Sequence, residues 1–493
     1  MKPILLVTSF ICSLILACSE PDKLADDFPE DSRLLLAAGE LTDQSIILQC
    51  RLNTTDTLVN KDLQGQSGSG FFQVSTDSLF AKSINTEQLN ADRSNDFILR
   101  KLISGLNPDQ TYFYRLIASY QDSDQQYSSK VGSFTTFPSA SESRPVTFAI
   151  STGFNYEKFY GIDKPATEVA SLEDQLLGFE AFETVRKLQP DFFIANGDVV
   201  YYDQPSNQDS EYYARSRPEM RAKWHRYFSM PRNREMMLKV PVYYLKDDHD
   251  YRYNDCDTTD QRALPTHQDG VEVFRKQTPV VDLENPEGRT YRTHRMGKLL
   301  QLWFVEGRDY RSPNLMEDGP GKTLWGKEQI AWLKKTLSES DAVFKLLISP
   351  TPMIGPDDAY KKDNHANLGG FQYEGQAFFS WLKENDFLNK NFYIVCGDRH
   401  WQYHSVHPEG FEEFSSGAFV DQNSRAGRVP GDPKSTDPDA FVTVPYIQTE
   451  GKNSGGFLQV TVRNTENPPE IQFSFHDTHG NELYSISKTA LSL

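Results

Sequence analysis

An N-terminal all-β segment followed by a layered α/β domain is the fold class that this 493-residue sequence predicts. Three observations carry that expectation. Apolar residues alternate with period 2 through residues 31–137. A hydrophilic Pro/Ser stretch, PSASESRP, breaks the pattern at 138–145. Beyond it, apolar runs alternate with helically spaced segments, and several runs end in charged residues.

Ahead of these, MKPILLVTSFICSLILAC sets Lys2 before one apolar run that ends at Ala17. The run is short of the roughly 20 residues a spanning helix needs, so an export signal is expected over 1–17. Ile15-Leu16-Ala17-Cys18 resembles a lipoprotein cleavage box, which makes Cys18 the expected lipidation site. A plain cleaved signal with an incidental Cys18 is the alternative. The acidic stretch 18–30 then reads as a tether. Such a chain would be exported and lipid-anchored in the envelope, and Ser19 favours the outer membrane if the cell is Gram-negative.

In the all-β segment, QSIILQCRL, GSGFFQVST and TYFYRLIASY read as strands, with Tyr112, Tyr114, Leu116 and Ala118 on one face of the last. Together they predict a small sandwich over 31–137. Residues 146–493 form the expected second domain. VTFAIS opens it, and Leu172, Leu176, Phe179, Phe182 and Val185 predict one amphipathic helix over 171–190. Further helices are expected near 212–228, 325–338 and 373–386, and FLQVTV and IQFSFHD return to strand.

Composition narrows the function. With 51 Lys and Arg against 69 Asp and Glu, the formal charge is −18, which disfavours a nucleic-acid binder. Aromatic residues make up 12% of the chain, so a real core is available and disorder is excluded as the main state. Five cysteines are too few for a disulfide scaffold.

The chemistry gathers where apolar runs end. DFFIANGD ends in Asp198, VPVYYL runs into Asp247-Asp248-His249-Asp250, and NFYIVC runs into Gly397-Asp398-Arg399-His400. Aspartate beside a core is costly unless paired or metal-bound. Carboxylates and imidazoles brought together at strand ends would repel without a cation, and oxygen-rich sites with histidine suit Ca, Zn, Mn or Fe.

These segments, with VEGRDYRSP, WGKEQIAWL and FEEFSSGA, resemble the phosphodiesterase/alkaline phosphatase D family, a branch of the calcineurin-like metallophosphatases. The resemblance runs over residues 31–480. It implies a fibronectin-like β domain at 31–137 and a layered β-sandwich flanked by helices, holding two or more metal ions. It also implies hydrolysis of phosphoric mono- or diesters by a metal-activated hydroxide. Asp198 matches the bridging aspartate, Asp248 a ligand and His249 the acid that assists the leaving group. Asp398 and His400 match further ligands, and Tyr201 a phenolate ligand for ferric iron. Where the family carries a thiolate this chain has Ser151-Thr152-Gly153, so Ca, Zn, Mn and Fe all remain compatible. Cys256 is a conceivable substitute, although a packed cysteine is the expectation.

The reaction also needs a cation on the phosphoryl oxygens, a role that suits Arg308, with Arg311 as competitor. Asn254, Asn364 and His365 are expected at the substrate cleft, and His365 as a conceivable ligand. Substrates would be phosphoester-containing small molecules or an envelope polymer. The alternatives are a sulfatase or phospholipase-like hydrolase on the same scaffold and a non-catalytic surface lipoprotein. Oligomeric state is left open.

Overall fold

The computed structural model describes residues 28–162, 169–259, 265–281, 288–464 and 467–491. The expected signal, most of the tether and Cys18 lie outside the described residues. Among those described, the strands after the Pro/Ser stretch build two large sheets. In one, Val146–Ser151, Phe192–Asn196 and Val242–Leu245 run parallel, and antiparallel Gly456–Arg463, Glu470–Asp477 and Glu482–Thr489 extend it. In the other, Leu300–Phe304, Phe344–Ser349, Phe392–Cys396 and Glu412–Ser416 run parallel.

Period-2 alternation stacks these layers. Phe148, Ile150, Phe192 and Ile194 share a core with Leu302, Ile348 and Val395 of the second sheet. The intervening Ala149, Phe193 and Ala195 pack with Phe182, Trp224 and Met236 of the helices on the first sheet's other face. Trp303, Leu347 and Ile394 likewise meet Leu333, Phe378 and Leu382. Strands buried on both faces read as unbroken apolar runs, which is why VPVYYL and NFYIVC show little alternation.

The N-terminal strands divide between two sheets. Leu34–Gly39, Ser45–Leu52 and Ile98–Ser104 continue the first large sheet beyond Val242–Leu245, joined where Gly39 pairs with Val242. Gly68–Ser75 and Thr111–Tyr120 pair along their length in a separate sheet. Tyr112, Tyr114, Leu116 and Ala118 are all buried, and they belong to the same core cluster as Phe192 and Tyr243.

The single helix expected over 171–190 is two, Leu172–Leu177 and Glu180–Leu188. Gly178 breaks it at φ 88°, and a β-carbon there would meet Met230 Cβ at 2.6 Å. The break turns Leu172 and Leu176 away from the core, leaving them 81% and 77% exposed, while Phe179, Phe182 and Val185 are buried as expected. The other three helices are Arg217–Ser229, Lys327–Glu339 and Gln372–Glu384, close to the segments the spacing marks.

The two sheets touch at the edge where their parallel strands end. Asn196 Nδ2 donates to Ser349 O at 3.0 Å, and Thr152 N to Gly417 O at 3.4 Å. The charged loops emerge along this edge.

Candidate metal centre

Asp198 and Asp398 each follow a strand and a glycine, and both take left-handed backbone conformations, at φ 56° and 60°. Few non-glycine residues adopt that region without a compensating constraint. The constraint at Asp198 is Asp250, whose carboxylate accepts from Val199 N at 3.0 Å and from Asp247 N at 2.7 Å. Asp250 thereby ties the loop after Phe192–Asn196 to the loop after Val242–Leu245.

Within this frame, ligand atoms of Asp198, Asp248 and His249 lie within 4.8 Å of one another, as do those of Asp248, Asp255 and Asp363. Tyr201 Oη is 3.3 Å from Asp198 Oδ2 and 3.2 Å from His400 Nε2. His400 Nε2 is itself 3.5 Å from Asp198 Oδ2. Asp203 accepts from His249 Nδ1 at 2.7 Å, and the Tyr201 and His249 rings lie 4.2 Å apart. Asp398 is bonded to Arg399, and its Oδ1 is 3.7 Å from Lys361 Nζ. All these acids except Asp255 are buried.

The electrostatics describe a site built for a cation. Burial pushes the Asp198 and Asp247 carboxyls well above their ordinary values, and neighbouring carboxylates add to the rise. At Asp248 burial acts the same way, but His249, Arg308 and Lys361 outweigh it and hold the group below the usual range. Burial likewise opposes charge on Asp398, yet Arg399 and Lys361 bring it down to about 2. Burial lowers the His400 imidazole well below its ordinary value, helped by Lys158 and Arg425, so the ring is neutral, as a metal ligand must be. Asp198 Oδ1, Asp247 Oδ2 and both oxygens of Asp363 are buried without a protein hydrogen-bond partner. Orphaned anionic oxygens of this kind are costly, and a bound cation satisfies them. The residues present therefore fit a metal centre.

Other expected residues are committed to protein contacts to differing degrees. Arg308 is fully buried among the carboxylates, giving Nε to Asp247 Oδ1 at 2.7 Å and Nη1 to Cys256 O at 3.0 Å, while its Nη2 has no hydrogen-bond partner and lies 3.8 Å from Asp248 Oδ1 and 3.7 Å from Asp363 Oδ2. Arg311 is spent on Gly307 O, Asn314 Oδ1 and Asp363 O. Asn364 donates to Asp357 Oδ2 at 2.8 Å, and His365 bonds Glu374 Oε1 at 3.0 Å, its ring in an edge-type contact with Trp325. Both serve the loop's own packing. Asn254 is exposed, and its backbone N–H reaches Asp203 Oδ2 at 2.9 Å. The Cys256 thiol lies 3.7 Å from Asp248 O, and burial pushes it up to about 12, far from a ready thiolate.

Five residues at the site carry weak sequence signals. Asp203 and Asp255 sit in polar stretches after the motifs, and Asp363 and Lys361 in the loop at 360–375. Asn423 lies in DQNSRAG, which has no periodicity to mark it. Only the repeated acid after a tyrosine, in YYD and YND, sets Asp203 and Asp255 apart.

Residues 150–466 match the family described as PhoD-like phosphatase, and residues 28–138 match the PhoD-like phosphatase N-terminal domain. Alkaline phosphatase D of Bacillus subtilis (strain 168) is 22% identical over 434 residues, spanning 78% of this chain and 67% of that protein. A solved structure of PhoD superposes with a TM-score of 0.71 at 18% identity, covering 94% of this chain and 92% of that one. Purple acid phosphatase PPD1 from yellow lupin (Lupinus luteus) seeds superposes with a TM-score of 0.60 at 12% identity, covering 94% of this chain and 74% of that one. At such identities the two superpositions speak for the fold alone. The match at 150–466 spans more than half of the sequence, and the chain belongs to the PhoD-like phosphatase family.

Proposed function

We propose that this phosphoester hydrolase acts on phosphoric mono- or diesters through a centre of two or more metal ions, held by Asp198, Tyr201, Asp248, Asp398 and His400. The observation that carries this reading is the group of buried carboxylate oxygens without a protein hydrogen-bond partner beside Asp248 and His249. Oxygen-rich donors with one neutral imidazole suit Ca, Zn, Mn or Fe. A bound ion would lower the pKa of coordinated water and draw charge from the phosphoryl oxygens.

The chain's own groups do the rest. Asp198, central to the cluster, would be the carboxylate that holds the ions together. His249 gives Nδ1 to Asp203, which leaves Nε2 as its free donor. Burial opposes a charged ring there, but Asp203, Asp248 and Asp198 raise the imidazole well above its ordinary value, so it carries the proton a departing oxygen needs. Lys361 adds a second cation beside Arg308. Its ammonium, 2.7 Å from Asp255 Oδ1 and 3.7 Å from Asp398 Oδ1, supplies positive charge at the cluster.

Asp255 and Asp363 extend the donor set through Asp248, which both groups share. The substrate is a small phosphoester or an envelope polymer, reached by an exported protein anchored through lipidated Cys18. The motif Ile15-Leu16-Ala17-Cys18 supports that anchoring, and two acyl chains would make it stable where one is marginal. No helix among the described residues is long and apolar enough to cross a membrane.

The test is a panel of alkyl and nitrophenyl monoesters and diesters, assayed before and after chelation and after return of each single metal. Turnover that disappears with the metal and returns with it supports the reading. Turnover that survives complete metal removal rejects it.

A further inference from the structure

Asn423 ends the short 3-10 turn Asp421–Asn423 and is 2% exposed. Chemistry fixes which way its amide faces. Oδ1 lies 2.9 Å from Lys158 Nζ, and an ammonium donates only, so the oxygen must be on that side. Nδ2 consequently faces Gly153 O at 3.0 Å and Tyr201 Oη at 2.9 Å, with His400 Nε2 at 3.5 Å. An amide nitrogen has two hydrogens. One goes to the carbonyl, which only accepts, and the other to the tyrosine oxygen. Tyr201 Oη therefore accepts from Asn423, and any proton it carries turns toward Asp198 Oδ2 or His400 Nε2.

Glycine at 153 makes room for this amide. Its φ is 68°, and a β-carbon there would lie 3.1 Å from Asn423 Nδ2 and 3.2 Å from Ala418 Cα. The charge of Lys158 pulls on the amide oxygen and sharpens its N–H donors, as linked hydrogen bonds do.

We propose that Lys158 and Asn423 form a positioning relay that aims Tyr201 Oη at the Asp198–His400 side of the centre. Asn423 is a positioning residue, acting through Tyr201. The proposal deepens the metal reading and rests on Tyr201 serving as an oxygen donor there. Neighbours that orient ligands in this manner are typically worth 10- to 100-fold in metal affinity or activity.

The test is a double-mutant cycle of Asn423→Asp with Tyr201→Phe, with Lys158→Met as a second way to release the amide. Asn423→Asp keeps the shape and the acceptor for Lys158 but sets an oxygen, not a donor, against Tyr201. Two quantities are read on each folded variant: kcat/KM on a nitrophenyl phosphoester, and the affinity of the metal-free protein for Zn or Mn by calorimetric titration. Asn423→Asp is expected to lower both about 10- to 100-fold, and Lys158→Met to lower them by less. In the Tyr201→Phe background Asn423→Asp should cost under about twofold, because the residue it acts through is gone. Equal losses with and without the tyrosine hydroxyl overturn the relay, as does an Asn423→Asp protein with unchanged kcat/KM and affinity. A wild-type enzyme that turns over without metal would reject the metal reading, while the cycle in kcat/KM would still decide whether Asn423 acts through Tyr201.

Discussion

His249 concentrates the chemistry at the scale of single residues. Asp203 fixes its Nδ1 and the surrounding carboxylates keep it protonated. His249→Ala should keep the fold and bound metal while lowering turnover about 10²- to 10⁴-fold. The loss should be greater on an alkyl ester than on a nitrophenyl ester, whose leaving group needs little protonation. Steady-state kinetics on both substrates, with metal content measured on the same sample, check this. Equal losses would leave only charge stabilisation, and lost metal would make His249 a ligand. Cys256 carries the opposite expectation. Its thiol faces Asp248 O and is held far from ionisation, so Cys256→Ser should retain every metal equivalent, as read by elemental analysis. Loss of one equivalent would show a recruited thiolate.

Among the elements, the helix broken at Gly178 separates sequence spacing from burial. Leu176 belongs with Phe179 and Phe182 to the spacing that marks a single helix over 171–190 but is largely exposed. Leu176→Gln should change stability by less than about 0.5 kcal/mol, whereas Phe182→Ala should cost about 3–5 kcal/mol, both read by urea unfolding. Similar costs would mean an unbroken helix. The helix Arg217–Ser229 is held to the turns between the N-terminal strands by His225, which bonds Asp96 at 2.8 Å and Asp62 at 2.6 Å. Burial opposes charge on Asp96, but His225, Arg51 and Gln277 outweigh it and hold the carboxyl well below its ordinary value. A depressed carboxyl contributes stability that is fully present above the unfolded value of about 3.9 and is lost as pH falls toward the folded one. Asp96→Asn should therefore cost about 3–5 kcal/mol at pH 7, with a smaller gap from the wild type at pH 3. A gap that grows on acidification would contradict the assignment. Spacing reveals the strands and the acids at their ends because strand burial leaves a period. It does not reveal Asp96 meeting His225 across 129 positions or Asn423 meeting Tyr201 across 222, since such pairs are made by tertiary packing and leave no local pattern. The burial of Arg308 is hidden for a related reason. Its place after a strand suggests a cleft residue, and tertiary packing buries it completely, with Nε on Asp247 and Nη1 on Cys256 O.

For the whole molecule, two face-to-face sheets bring the ends of separate parallel strands to one edge, and the loops there place acids where water is largely excluded. That arrangement is costly by itself, and bound metal ions would make it stable and reactive. Asp198 is its centre, with Oδ1 buried and unpartnered and Oδ2 facing Tyr201 and His400. The most direct measurement is metal content per chain, by elemental mass spectrometry, of wild-type protein and of Asp198→Asn matched for secondary structure. The expected result is a soluble, folded variant that has lost most of the metal from at least one position, with phosphoester turnover lost alongside it. A folded Asp198→Asn protein that holds the full wild-type metal complement would contradict it.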